Sequence, residues 1–184
     1  WVTGNRIPDN GFWESYKHHL SIRKKWNDDA IVSLDTSTTR ILNHLIDPLS
    51  DKLTRIKGLV VGYVQSGKTA NYSALIAKAV DAGYRLIIVL SGRTDILRDQ
   101  TQARLDFELS GWISLDSDEQ KKYEEKSLQQ HQNYQDKFVK YNGPQRFLRL
   151  TKTDKDFDPG SIALHDTGNP SIAVLKKIPK RLKN

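Results

Sequence analysis

The chain has 184 residues, 37% of them hydrophobic and 28% charged, which is enough for one domain with a real core. It contains no cysteine, so a disulfide scaffold and a thiolate metal site are excluded, and no apolar run approaches the ~20 residues that a membrane span needs. A formal charge of +7 favours an anionic partner, and a nucleotide and a nucleic acid both qualify.

The absence of cysteine and of a signal peptide fits a cytoplasmic protein. The chain opens on Trp1 and has no methionine, so it is expected to be an internal piece of a longer protein whose remaining domains are its partners.

Residues 1–50 read as an N-terminal helical segment. Pro8-Asp9-Asn10-Gly11 breaks the chain before a helical pattern from Phe12 to about Trp26, with Phe12, Trp13, Tyr16, Leu20 and Trp26 on one face as core residues, and with Lys17, Arg23, Lys24 and Lys25 largely elsewhere; the alternative is that this basic helix lays its aromatics on nucleic acid. Asp35-Thr36-Ser37-Thr38 reads as a capping segment for a second helix carrying Ile41, Leu42, Leu45, Ile46 and Leu49. In many helicase-like ATPases a polar segment upstream of the phosphate loop reads the adenine base, which makes Asp35 to Ser37 candidates for that role beside plain capping.

Residues 51–111 form the centre of the chain. The apolar run Leu59-Val60-Val61 predicts a strand, and Gly62-Tyr63-Val64-Gln65-Ser66-Gly67-Lys68-Thr69 fits the phosphate-binding pattern G-x-x-x-x-G-K-[ST]. In that pattern glycines let backbone N–H groups close around phosphate oxygens, the lysine neutralises the β/γ charge and the hydroxyl holds magnesium. The candidate nucleotide-binding residues are therefore Gly62, Gln65, Ser66, Gly67, Lys68 and Thr69, with Lys68 catalytic and Thr69 on the magnesium that accompanies ATP. Thr69 to Ala82 follows as an alanine-rich helix with Gly83 at its left-handed C-terminal cap. A helix start at the end of the loop adds N–H groups and a positive dipole end on the same phosphate. Arg85 to Leu90 is a continuous apolar run, predicted to be a strand buried on both faces and parallel to 59–61.

Ser91 to Asp95 predicts a turn, and Ile96, Leu97, Thr101, Leu105 and Leu109 a helix stripe with Arg98, Gln100, Gln102 and Arg104 beside it. Ligands collect at the strand ends of parallel sheets, so Arg93 and Arg98 are the candidate contacts to a nucleic-acid backbone, most simply DNA. Residues 112–169 read as a charged, polar helical insertion, with Phe147 to Leu150 as a short strand within it. Residues 170–184 give a third buried strand, Pro170 to Lys177, and a basic tail. The five histidines have no metal-ligand spacing, and Glu124-Glu125-Lys126 lies in a charged stretch with no apolar strand to hold a nuclease site.

Gly58 to Asp106, with Asp35-Thr36-Ser37-Thr38 upstream and Ser171 to Lys177 downstream, resembles the Z-one domain family of bacterial proteins, which usually carry an endonuclease label. The resemblance implies an α/β fold: a partial RecA-like P-loop NTPase lobe with parallel strands, belonging to a helicase-type ATPase of restriction and defence systems. By resemblance Gly62 to Thr69 is the nucleotide loop and Ser91 to Gln102 lies on the nucleic-acid strand. The chain departs from that pattern in having no Asp-Glu-Ala-Asp-type motif on an apolar strand and no arginine-finger segment, so this piece is expected to be inactive alone. Two other readings of the residues stay open: a small-molecule phosphotransferase, and a basic nucleic-acid-binding module whose phosphate loop does not hydrolyse.

Overall fold

Two units divide the chain at Tyr84, and a computed structural model describes residues 1–2, 6–51, 55–61, 67–110, 147–153 and 169–177 of them. The first unit, Trp1–Tyr84, contains three helices: α1 (Phe12–Ile22), α2 (Asp28–Asn43) and α3 (Lys68–Asp81). The second, Arg85–Asn184, contains strands β1 (Leu86–Ser91), β2 (Leu148–Arg149) and β3 (Ser171–Lys176), with helix α4 (Asp95–Leu105) running on into a π-helical turn, Asp106–Ser110. The described residues are thus mixed α/β.

In the first unit α3 packs against both α1 and α2. Its buried side is Ala70, Ser73, Ala74, Ile76, Ala77, Lys78 and Ala79, and the small alanines allow neighbouring helices a close approach. The helix ends at Ala82, and Gly83 takes φ +112°, the positive-φ stop read from the sequence. α1 buries Phe12, Trp13, Tyr16, His19 and Leu20, a stripe of helical period. Its N-terminus has no side-chain cap of its own; the Asp81 carboxylate at the end of α3 accepts the N–H groups of Phe12 and Trp13, each at 2.8 Å. Gly11 leaves room for it, since a Cβ there would lie 2.5 Å from an Asp81 oxygen.

Three expectations are corrected in this unit. α1 stops at Ile22, and the chain turns through Lys25 in a left-handed conformation, so Trp26 leaves the helix instead of extending its stripe. α2 is capped eight residues before the predicted capping segment, by Asn27, which accepts the Ala30 N–H at 2.9 Å, with Asp28 and Asp29 in the first turn; it ends at Asn43, so Leu45, Ile46 and Leu49 lie beyond it. Asp35 to Thr38 lie mid-helix, where the hydroxyls of Thr36, Ser37 and Thr38 bond back to the carbonyls of Val32 and Leu34. Leu59-Val60-Val61 is irregular chain, not a strand, with Leu59 87% and Val61 85% exposed. An apolar, β-branched run reports fitness for burial and does not specify what buries it.

In the second unit the sheet order is β1-β3-β2 and both pairings are parallel, with Leu86 opposite Ser171, and Leu148 also opposite Ser171. The central strand is the one at Ser171–Lys176, whose first four residues are buried. β1 lies at the edge of the described sheet and is not buried on both faces: Leu86, Ile88 and Leu90 are exposed, Ile88 by 54%. The core gathers Leu105, Leu109, Phe147, Leu150, Ile172, Ala173 and Val174. A polar chain runs through it: Thr151 Oγ1 accepts the Val174 N–H at 2.8 Å and donates to Gln102 Oε1 at 2.6 Å. Gln102 donates in turn to Asp106 Oδ1 at 2.8 Å, and Arg149 closes on Asp106 Oδ2 at 3.1 Å. Each buried polar group met this way avoids the cost of an unmade bond.

Candidate nucleotide and nucleic-acid sites

Gly62, Gln65 and Ser66 lie outside the described residues, and the last three residues of the motif are placed. Gly67 has φ +73° and ψ +21°, a left-handed conformation that only glycine adopts cheaply, and it is the N-cap of α3. Lys68 and Thr69 open the helix, whose first backbone bond runs from Asn71 N–H to Gly67 O at 3.0 Å. Left-handed backbone followed at once by right-handed helix turns successive N–H groups to one side, the concave arrangement that receives anions. The N–H groups of a helix's first turn have no carbonyl of the same helix to bond, so they point the same way. The first turn of α3 carries no acidic side chain, and Lys68 is exposed while Thr69 is half-buried. These residues fit a magnesium-bound polyphosphate: an ammonium for its charge, a hydroxyl for its metal and a dipole end behind both.

Beside Gly67 stands a residue that the sequence assigned to core packing. The turn after α1 brings Trp26 to the start of α3, where a Cβ at Gly67 would lie 3.8 Å from its ring atom Cη2. The sequence signals for it were the basic run Arg23-Lys24-Lys25 before it, which with the aromatics suggested a nucleic-acid contact as the alternative to core packing, and Asn27-Asp28-Asp29 after it, which marks a break between helices. The polar segment expected to read a base is committed elsewhere. Asp35 pairs with the buried Lys78, and Ser37 Oγ accepts from Asn71 Nδ2 at 3.4 Å.

At the C-terminal end of β1 the predicted turn and helix are present, and Thr94 caps α4 by accepting the Leu97 N–H at 3.3 Å. Gly92 is required there, since a Cβ would come within 2.6 Å of the Leu97 side chain. Ser91 Oγ bonds Leu97 O at 3.0 Å and Thr101 Oγ1 at 2.9 Å, which ties the strand end to the helix. The two candidate arginines part company. Arg93 is exposed at the turn. Arg98 is only 3% exposed, and its guanidinium donates to Lys152 O at 2.8 Å, Thr153 O at 2.6 Å and Asp99 Oδ1 at 2.6 Å. Arg98 is therefore corrected from a nucleic-acid contact to a clamp on the segment after β2, because its two terminal nitrogens are turned to carbonyls more than fifty residues away. Gln102 is likewise internal, and among the basic and amide side chains Arg93, Gln100 and Arg104 are exposed.

Among the described residues no group of three or more His, Cys, Asp or Glu side chains could hold a metal ion. No helix among them is long and apolar enough to cross a membrane. The chain matches no protein-family model, no curated protein and no solved structure.

Proposed function

We propose that this chain is the nucleotide-binding part of a nucleic-acid-stimulated, helicase-like ATPase. The observation that carries the reading is the left-handed Gly67 directly ahead of Lys68 and Thr69 at the start of a fourteen-residue helix, within a sequence that satisfies the whole phosphate-loop pattern. On this reading Leu59 to Val61 leads into the loop, Lys68 neutralises the β/γ-phosphate charge and Thr69 holds the magnesium that ATP brings. The RecA-like lobe, the cytoplasmic setting and the Z-one resemblance of Gly58 to Asp106 belong to the same proposal. The parallel sheet of the second unit, with a turn and a capped helix at the C-terminal end of β1, supports it as the kind of strand end where ligands collect. Arg93 there, with the net charge of +7, supports a phosphate backbone as the second partner, DNA in the first instance.

Titration of the chain with ATP by calorimetry, with and without magnesium, tests the proposal. Magnesium-dependent binding that is weakened at least tenfold by Lys68→Ala is the expected result. Binding that ignores both magnesium and the lysine removes the phosphate-loop reading.

A further inference from the structure

We infer that Trp26 is the base-stacking residue of the phosphate-loop site, so that its ligand is a nucleoside triphosphate gripped at both ends and selected little by base identity. The inference rests on the phosphate-loop reading and adds the other half of the ligand to it.

The placement of the ring is built by the backbone on both sides. Lys25 holds φ +54°, a left-handed conformation that a side-chain-bearing residue adopts only where its surroundings impose it. The Trp26 N–H is then fixed to Leu20 O at 3.1 Å, and the next residue, Asn27, is already the cap of α2. With one neighbour in a left-handed turn and the other in a helix cap, Trp26 has little freedom to leave the mouth of α3. The ring meets the Gly67 position by an edge atom, Cη2, at ordinary contact distance.

Exposure separates it from the aromatics of α1. Trp13 and Tyr16 are buried in the core, whereas Trp26 is half-buried beside the exposed basic run Arg23-Lys24-Lys25. The inference places the base of a triphosphate seated at Gly67 to Thr69 against this ring, whose Cη2 lies 3.8 Å from where a Cβ on Gly67 would be. The upstream polar segment offers no rival, since Asp35 and Ser37 are engaged with Lys78 and Asn71. Stacking uses the π-face that every base has and reads no hydrogen-bonding edge, so ATP and GTP should bind within a few-fold of each other.

Trp26 also sits one residue before the Asn27 cap, the position from which an apolar side chain can staple to the fourth residue of a helix, which in α2 is Ile31. Paired variants separate the two roles. Trp26→Leu keeps an apolar staple and loses the stacking face, and Trp26→Phe keeps both. Affinities for magnesium ATP, magnesium GTP and magnesium tripolyphosphate are compared in the parent chain and both variants, with urea midpoints confirming that each is folded. The expected result is that Trp26→Leu loses about tenfold to a hundredfold for both nucleotides while its tripolyphosphate affinity is unchanged, and Trp26→Phe retains most of the nucleotide affinity. The inference is overturned if the parent binds tripolyphosphate as tightly as ATP, if Trp26→Leu leaves nucleotide affinity unchanged, or if it weakens all three ligands alike. A parent chain that binds none of the three overturns the phosphate-loop reading itself.

Discussion

Lys78, fully buried in the last turn of α3, is paired with Asp35 in the middle of α2. Its ammonium also donates to Asp35 O at 2.7 Å and Thr39 Oγ1 at 2.6 Å and lies 4.5 Å from the centroid of the Trp13 ring. Every donor of the lysine is thus met, and α3 is locked to α2 by a charge in the core. Burial pulls the Lys78 pKa below the usual lysine range, against the pull of Asp35 in the other direction.

Removing one partner of that pair is expected to cost more than removing both. Asp35→Ala leaves a buried ammonium with its carboxylate gone, and a loss of about 2–3 kcal/mol in urea unfolding follows from charged hydrogen bonds of this kind. Adding Lys78→Met replaces the ammonium with an apolar chain of similar length and is expected to recover most of the loss. A double variant no more stable than Asp35→Ala would show that the lysine contributes by other contacts.

Stability against pH carries two opposed contributions from the first unit. Burial chiefly, with Lys24 and Arg23 adding to it, lowers the His19 pKa from 6.5 to about 4, so its share of stability is present above pH 6.5 and is lost as pH falls toward 4. Burial raises the Asp81 pKa from 3.8 to about 6, against the N–H bonds of Trp13 and Phe12, so its share is present below pH 3.8 and is lost as pH rises through 6. Each is of the order of 2–3 kcal/mol, and between pH 4 and 6 they offset one another. His19→Gln should therefore lose stability relative to the parent chiefly at the upper end of that window, and Asp81→Asn chiefly at the lower end, in urea midpoints taken at half-unit pH steps. Differences from the parent that do not change with pH would assign both residues to packing alone.

Arg93 and Arg98, the two arginines proposed to meet DNA from the sequence, are expected to fail in different ways. Arg93→Ala should weaken DNA binding and reduce the slope of log affinity against log salt by about 1, with the unfolding midpoint unmoved. Arg98→Ala should instead cost about 1–3 kcal/mol of stability, because it removes a buried side chain and its hydrogen bonds to the Lys152 and Thr153 carbonyls. Anisotropy titrations at several salt concentrations, read beside urea unfolding, separate the two outcomes. An Arg98 variant that is fully stable and flattened in salt slope would restore it to the DNA surface.

What was legible in the chain was contiguous. The run from Gly67 to Gly83 announces a helix start, an alanine face and a stop within one window, and Ser171 to Lys176 is a strand by hydrophobicity alone. The start of α2 was illegible because two capping signals compete, Asn27-Asp28-Asp29 and Asp35-Thr36-Ser37-Thr38, and hydroxyls that bond back to their own helix look in sequence like caps. Arg98 and Trp26 were misplaced for a different reason. Their partners, Lys152 and Thr153 for one and Gly67 for the other, are about forty to fifty-five residues away, and local composition carries no trace of them.

Turnover is expected to separate from binding. Positioning and charge stabilisation of the transferring phosphoryl group need an acidic strand end and an arginine beyond the phosphate loop, and the arginine alone is worth about 10³–10⁵ in rate. The chain should therefore bind nucleotide without sustained hydrolysis in a phosphate-release assay. Steady release that disappears in Lys68→Ala would place the missing acid within these 184 residues.

The central claim is that the backbone of Gly67 to Ala70 receives the phosphates, and amide chemical shifts in ¹⁵N-labelled chain test it most directly. On addition of magnesium ATP the account predicts its largest amide shifts at Gly67, Lys68, Thr69 and Ala70, with the same residues moving under magnesium tripolyphosphate and standing still in Lys68→Ala at equal ligand. Saturable shifts that fall elsewhere, with those four amides unmoved, would contradict it.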